Sequence, residues 1–363
     1  MTTTGGAIAG DEQTVAALGE FGLIAALSRW LGGKSPADPR TLVGIGDDAA
    51  VLAAPDGRVV ASTDFLLEGR HFRRDTSSAA DVGHKAAARS LIDVAAMGAV
   101  PTGLLVALAA PPDLPVTWAR ELTEGLAAEC ARAGATVVGG DTARAGSVLL
   151  VTTVLGDLAG RAPVLRSGAA PGDLVAVTGP LGHAAAGLAL LEAVTPDGTR
   201  LPHPPDWTAP LVAAQRRPQP PYDAGPQAAD LGATAMIDIS DGLLADLGHI
   251  ASASGVRIDL SSDRLSPGAG LRAAARLLHP FFGRTERGSG PEHVHAQTSM
   301  AQTSMALAWV MAGGEDHALA ATFKPDTALP PRWTVVGQVS EGLGVLVDGQ
   351  AWAGEAGWDH FRG

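Results

Sequence analysis

The sequence predicts an α/β (α+β) chain folded as two domains, and three observations carry that reading. At 363 residues the chain is more than twice as long as a typical domain of about 150. Segments with apolar residues at helical spacing alternate with short β-rich runs in both halves. Between them, residues 156–172 form a polar stretch punctuated by Gly and Pro, the composition of a connection. The domain expectation is therefore 1–155 and 156–363.

In the first half, Val15, Leu18, Phe21, Ile24, Ala25 and Leu27 recur at helical spacing between Glu12 and Leu31, and Gly32-Gly33 supplies a stop. Thr41 to Leu52 and Val59 to Thr63 read as short strands joined by the turn Pro55-Asp56-Gly57, which predicts a hairpin. Asp81 to Met97 is rich in helix formers and closes at Gly98. Thr102 to Ala109 reads as a strand, Val116 to Ala133 as a helix ended by Gly134, and Thr136 to Val138 and Val148 to Leu155 as two more strands.

In the second half, Leu174 to Thr178 is a strand and Ala184 to Glu192 a helix, followed by a Pro-rich loop from Pro202 to Pro221. Ala235 to Ile239 reads as a strand that turns into a helix at Gly242. Gly283 to Met305 carries AQTSM twice in succession; a tandem copy this short is no solenoid repeat and reads as a mobile surface insertion.

Composition bounds the function. With 26 basic and 38 acidic residues the net charge is −12, which repels a phosphate backbone and argues against nucleic-acid binding. Cys130 is the single cysteine, so no intramolecular disulfide forms, as in a reducing compartment. No basic segment followed by an apolar stretch opens the chain and no apolar run of about 18 residues occurs, so the expectation is a cytoplasmic protein without a membrane span.

Several motif-like stretches fail on their context. Gly33-Lys34-Ser35 lacks the glycine that a phosphate-binding loop needs five positions earlier, where Ser28 stands. Gly44 to Ala49 fits a loose dinucleotide fingerprint but puts two carboxylates where a pyrophosphate would sit. Ser90, Ser240, Cys130 and the ten histidines have no nucleophile-elbow or cysteine-protease setting.

The informative pattern is acidic. Four segments combine small residues, an element end and a carboxylate: Val43 to Ala50 with Asp48, Ser62-Thr63-Asp64, Gly139-Gly140-Asp141-Thr142, and Ile237 to Gly242 with Asp238 and Asp241. Asp93, within a helix, is a fifth. Taken singly each acid reads as a turn residue or helix cap. As a set, glycines that let backbone approach a ligand and hard oxygen donors suit Mg·ATP. If the strand ending at Ile239 turns into a helix at Gly242, Asp238 and Asp241 face one metal, and Ser240 brings a hydroxyl and a backbone N–H near phosphate.

These segments, with GEFGLI (19–24), STDFLLEGRHF (62–72), DVAAMGA (93–99), LRSGAAPGD (165–173), GGED (313–316) and GWDHF (357–361), resemble the thiamine-monophosphate kinases, in family order and over nearly the whole chain. Some Gly and Asp motifs are shared with aminoimidazole-ribonucleotide synthetase, selenophosphate synthetase and hydrogenase-maturation ATPases. The resemblance implies an N-terminal mixed-sheet domain that pairs across a homodimer, a C-terminal α/β domain, and an active site in the cleft between them. It implies that Asp48, Thr63, Asp64, Asp93, Asp141, Asp238 and Asp241 hold several Mg²⁺ ions, with Asp48, Asp141, Asp238 and Asp241 closest to the chemistry. Gly140, Asp141, Arg166 and Ser240 would contact ATP, and His71, Glu315 and Trp358 the thiamine monophosphate. Trp358 would offer a flat face to a cationic ring. The residues 283–305 and the tail before Glu12 depart from the family's compact pattern and carry no motif.

The acceptor implied is itself a phosphate monoester, mostly ionised at pH 7 because its second pKa is about 6, so no general base is needed. That accounts for acids without a partnering base, and implies direct in-line attack on the γ-phosphorus. Among relatives, aminoimidazole-ribonucleotide synthesis is the alternative, and GWDHF argues against it. A non-catalytic acidic protein that binds divalent cations is a rival of another class, which ATP-dependent turnover would eliminate.

Overall fold

The computed structural model describes residues 13–32, 38–45, 49–193, 205–282 and 304–358. The chain divides into two compact units, one made of Met1–Val94 and Val100–Asp157, the other of Ala95–Ala99 and Leu158–Gly363.

The first unit runs α1 (Val15–Gly32), β1 (Thr41–Val43), β2 (Val51–Leu52), β3 (Val60–Leu67), α2 (Ala79–Ala96), β4 (Val100–Ala110), α3 (Val116–Ala133), β5 (Thr136–Arg144) and β6 (Leu149–Asp157). Its main sheet has the order β3-β6-β4-β5, with β4 and β5 parallel and the other pairs antiparallel. The sheet is therefore mixed. The hairpin expected across Pro55-Asp56-Gly57 does not form: β1 pairs with β2 in a separate two-stranded sheet, while β3 pairs with β6. The local turn chemistry is real, since Gly57 donates its N–H to Ala54 at 2.9 Å, but eight residue pairs with β6 outweigh it. The strand beginning at Thr136 continues to Arg144, so Gly139 to Thr142 lie inside an edge strand and not at its end.

Helices α2 and α3 meet backbone to backbone. A Cβ on Gly83 would lie 2.0 Å from the carbonyl oxygen of Leu122, and one on Gly125 would lie 2.1 Å from that of Ala80. Only glycine fits at either position. Helix α3 closes with Gly134 in the left-handed region, φ 71°, and Ala135 donates to Cys130 O at 2.8 Å.

The second unit contains β7 (Leu174–Thr178), α4 (His183–Glu192), α5 (Ala209–Arg216), α6 (Ala224–Asp230), β8 (Ala235–Ile239), α7 (Leu243–Ser254), β9 (Arg257–Leu260), α8 (Ala269–Phe282), β10 (Ala318–Phe323), β11 (Thr334–Ser340) and β12 (Gly344–Val347). Its six-stranded sheet has the order β12-β9-β11-β7-β10-β8, antiparallel except for β9 with β12. Ile237 and Ile239 of β8 pack with Leu243, Leu247 and Ile250 of α7 in the core. The alternation of the strand then leaves Asp238 facing away from that core. The Pro-rich stretch is less of a loop than its composition predicts, since residues 206–208 make a helical turn and α5 follows. Residues 283–303 of the expected insertion lie outside the described residues, while residues 304–312 are helical.

Candidate active site

Six of the seven predicted metal-site residues lie among the described residues. Asp48, with Gly46 and Asp47, does not. In the first unit, strand alternation places Ser62 and Asp64 on the face of β3 that turns inward and Thr63 on the other. Spacing of three puts Ser90 and Asp93 on one face of α2. The two pairs interlock: Ser62 Oγ donates to Asp93 Oδ2 at 2.6 Å, and Ser90 Oγ donates to Asp64 Oδ2 at 2.8 Å. Ser90, fully buried, also sits 2.7 Å from Thr152 Oγ1 on β6. Strand and helix thus hold each other's carboxylate. The Thr63 hydroxyl bonds Thr152 O at 3.0 Å and lies 3.1 Å from Thr153 Oγ1, on the outer face. It is not beside Asp64.

Asp141 stands apart from that pair. Register aligns Asp64 with Thr152, Val106 and Gly140 in one row across the sheet, and Phe65 with Val151, Ala107 and Asp141 in the next. Asp141 therefore shares the outer face with Phe65, three strand spacings or roughly 14 Å from β3. Its Oδ1 accepts the N–H of Thr142 at 2.8 Å. Gly140 has a packing reason of its own, because a Cβ there would lie 1.9 Å from Val106 O. A cavity of about 110 Å³ between α1, α3 and the β4–β5 edge is lined by Leu27, Leu122, Leu126 and Val137 together with Gly139 to Thr142. His71 follows a tight turn at Gly69, φ 83°, and its Nδ1 accepts the N–H of Leu67 at 3.0 Å. That nitrogen is an acceptor, so the proton of a neutral ring sits on Nε2.

In the second unit four predicted residues converge on the turn between β8 and α7. Glu315 donates its N–H to Ser240 O at 2.7 Å, and Trp358 donates its N–H to Asp241 O at 2.9 Å. Gly314 and Gly357 permit this, since a Cβ on either would approach the carbonyl oxygen of Ser240 or Asp241 to 2.7 and 2.6 Å. The Glu315 carboxylate accepts from Gln215 Nε2 at 3.2 Å, and the Trp358 indole is half exposed. Asp238 is buried at the end of β8. Arg166 is not part of this group: Leu165 O accepts the N–H of Met236, which puts Arg166 beside the start of β8, roughly 13 Å along the strand from Ser240.

The turn corrects one expectation. The backbone N–H groups of Ser240, Asp241 and Gly242 all point at Asp246 Oδ2, at 3.0, 3.1 and 3.1 Å. A side chain of the same helix fills the anion-binding concavity, so the N–H of Ser240 is already spent within the protein and only its hydroxyl remains for phosphate. Burial, with Asp238 and Asp241 adding repulsion, pushes the Asp246 carboxyl up to about 8. Asp316 plays the corresponding part at α4, accepting from Gly182 at 2.5 Å and Ala184 at 2.8 Å. Ser62, Thr152, Gln215, Asp246, Asp316 and His317 were not singled out by sequence reasoning, and Ser90 was weighed only as a nucleophile. An acid in the first turn of a predicted helix was the one available signal, for Asp246.

Among the described residues no group of three or more His, Cys, Asp or Glu side chains could hold a metal by itself. The donors group by twos, Asp64 and Asp93 through the interlocked Ser90 and Ser62, and Asp238 and Asp241 through their common neighbour Asp246. Pairs fit Mg²⁺, which keeps several waters and takes one or two carboxylates alongside substrate phosphate oxygens. Burial and, after it, the charges of Asp238 and Asp241 raise Asp246, and a cation held by the pair would offset the second of these causes.

Comparison with known proteins carries the remaining step. Residues 46–158 match the profile of AIR synthase related protein, N-terminal domain, and residues 170–348 that of its C-terminal domain. Thiamine-monophosphate kinase of Mycobacterium tuberculosis (strain H37Rv) is 44% identical over 366 residues, spanning 99% of this chain and 97% of that one. The chain belongs to the thiamine-monophosphate kinase family. The crystal structure of thiamine-monophosphate kinase from Stenotrophomonas maltophilia K279a matches with a TM-score of 0.70 at 30% identity, over 91% of this chain and 95% of that one. A structure of AaThiL complexed with AMPPCP and TMP matches with a TM-score of 0.71 at 30% identity, over 96% and 99%. Thiamine-monophosphate kinases are phosphotransferases, so this chain is an enzyme of that class. Among its described residues no helix is long and apolar enough to cross a membrane.

Proposed function

We propose that this chain transfers the γ-phosphate of ATP to thiamine monophosphate and releases thiamine diphosphate and ADP, as a cytoplasmic homodimer using several Mg²⁺ ions. The observation that carries the reading is the pair of backbone hydrogen bonds tying Glu315 to Ser240 and Trp358 to Asp241. Groups proposed to hold the acceptor are thereby fixed to the turn proposed to hold metal and nucleotide. The complex of AaThiL with AMPPCP and TMP supports the same pairing of ligands.

In this mechanism Asp64, Asp93, Asp141, Asp238 and Asp241, with Asp48, hold the ions. Thr63 takes part through its backbone, because its hydroxyl is engaged with Thr152 on the outer face. Bound Mg²⁺ supplies charge neutralisation between nucleotide and acceptor phosphates. The Ser240 hydroxyl and the Gly140 backbone contact ATP, and the exposed Arg166 side chain reaches for its phosphates. Trp358 stacks its exposed indole on the cationic thiamine ring system, Glu315 adds a counter-charge, and His71 donates from Nε2. The acceptor phosphate attacks in line without a protein base, and no phosphoenzyme forms. Dimer formation is supported by the exposed apolar side chains Phe65 and Leu67 at the β3 edge of the first unit.

The test is an assay of the purified protein with Mg·ATP and, separately, thiamine, thiamine monophosphate and an aminoimidazole-ribonucleotide precursor, with ADP and product followed by mass. ADP matched by thiamine diphosphate supports the reading. Turnover only with the aminoimidazole precursor overturns it in favour of that synthetase, and no turnover with any acceptor removes the kinase reading.

A further inference from the structure

His317 is the residue whose chemistry the site has not yet absorbed. Its side chain is 2% exposed, and neither Nδ1 nor Nε2 has a hydrogen-bond partner among the described residues. Two orphaned ring nitrogens in a buried position are unfavourable, because such polar groups are ordinarily paired. The backbone is strained as well: φ is 51°, in the left-handed region that a bulky residue rarely adopts. The strain is imposed from both sides, since the His317 N–H donates to Ile239 O at 2.9 Å while Ala318 already pairs with Ile239 in the β10–β8 ladder. Asp238 Oδ2 lies 3.7 Å from Nδ1, and the Asp238 side chain is itself 91% shielded from solvent. That separation is too long for a hydrogen bond and short enough to close by a small rotation of either side chain.

We propose that His317 is a positioning residue for Asp238, donating Nδ1–H to Oδ2 once a cation is held at Asp238, so that the other carboxylate oxygen faces the ion. The proposal rests on the metal-binding reading of Asp238 given above. A neutral imidazole suffices, because the donor is the ring N–H. Outer partners of this kind fix the orientation of metal ligands, and their loss costs about 10–100-fold in metal affinity. Asn at this position keeps a donor near the place of Nδ1 and tolerates positive φ, whereas Phe keeps ring volume and removes both nitrogens.

The experiment measures Mn²⁺ binding directly, by electron paramagnetic resonance and calorimetry, on the full chain with AMPPCP present and no turnover. The wild type, His317→Asn and His317→Phe are compared, each with a melting curve taken without metal. The expected result is roughly tenfold or greater weakening of Mn²⁺ binding in His317→Phe, most of it restored in His317→Asn, with the metal-free melting temperature of His317→Phe unchanged or raised. Equal Mn²⁺ affinity in wild type and His317→Phe overturns the proposal while leaving the metal site standing. So does weakened binding in both variants accompanied by a large drop in metal-free melting temperature, which marks a packing role. Absence of Mn²⁺ binding in the wild type overturns the metal reading of Asp238 and this proposal with it.

Discussion

Asp246 accepts the backbone N–H of Ser240 at 3.0 Å with the same oxygen, Oδ2, that accepts the next two N–H groups of the turn. Because one oxygen serves all three donors, Asp246→Asn can keep the arrangement with its amide oxygen, and it replaces a carboxyl that burial and the nearby Asp238 and Asp241 already hold in its neutral form below about pH 8. Asp246→Ala leaves three N–H groups unsatisfied. Chemical denaturation should find Asp246→Ala destabilised by about 1–3 kcal/mol and Asp246→Asn by far less. Equal losses in the two variants would mean that the amide oxygen does not replace the carboxyl oxygen as acceptor for the three N–H groups.

Ser90 offers a test of the interlock between β3 and α2. Ser90→Ala frees Asp64 from its 2.8 Å bond and also breaks the contact with Thr152, whereas Thr152→Val breaks only the latter. We expect kcat/KM to fall about 10–100-fold in Ser90→Ala and far less in Thr152→Val, as for loss of a residue that orients a metal ligand. Steady-state kinetics at saturating Mg²⁺ decides it; equal losses would mean that core packing, and not the aim of Asp64, is what Ser90 maintains.

Trp358 is bonded to Asp241 through its backbone, which Trp358→Ala retains, while its indole is half exposed. The substitution should raise KM for thiamine monophosphate roughly tenfold or more, the equivalent of about 1–3 kcal/mol of stacking, and leave KM for ATP and the melting temperature nearly unchanged. Parallel changes in both Michaelis constants would make Trp358 an anchor of the C-terminal segment.

A pH effect follows from Asp316, whose carboxyl burial pushes up to about 7 against the pull of the N–H groups of Gly182, His183 and Ala184. The folded state therefore holds this proton more tightly than the unfolded chain, whose Asp titrates near 3.9. Its stabilising contribution is fully present below the unfolded value and is lost as pH rises to about 7. Urea denaturation across pH 4 to 8 should show the wild type losing stability relative to Asp316→Asn over that window. A wild type that instead gains stability relative to Asp316→Asn as pH rises would mean that the three donors dominate and hold the carboxylate ionised.

Cys130 is fully buried, and burial together with the neighbouring Glu129 pushes its thiol far up. A thiol-reactive disulfide reagent should therefore modify no cysteine in the native protein and one in denaturant. Rapid native labelling would contradict the packing of α3.

Much of the fold was legible because local signals and tertiary packing agree. Val116 to Ala133 is predicted and found as α3, with Gly134 as its left-handed cap, since periodicity and the C-cap glycine point the same way. The hairpin at Pro55-Asp56-Gly57 was misread because the turn is local and the partner of β3 is not: β6 lies some 90 residues downstream, beyond what a window of sequence can weigh. At the site, carboxylates beside glycine announce themselves, and Asp238, Ser240, Asp241, Glu315 and Trp358 do meet at one turn. Residues that act by holding others carry no such mark. Ser62 and Ser90 are two ordinary serines until strand alternation and helix spacing set each opposite a carboxylate. Likewise, nothing in Asp64 and Asp141 as a pair of acids tells that register assigns them to opposite faces of one sheet.

The backbone contact at Gly83 and Gly125 limits how this enzyme can diverge. Asp93 lies ten residues beyond Gly83 on the same helix, about 15 Å away at 1.5 Å per residue, and a helix transmits displacement at its foot with little damping. A methyl group at either glycine must push α2 from α3, and that shift reaches the carboxylate of Asp93 and the hydroxyl of Ser90 together. Neither glycine is among the residues assigned to a ligand, yet no single-residue change elsewhere makes room for a side chain whose obstacle is main chain. Lineages that retain the interlock of Ser62 with Asp93 must therefore retain this glycine pair, and a variant library would find the two positions closed together with the carboxylates they aim.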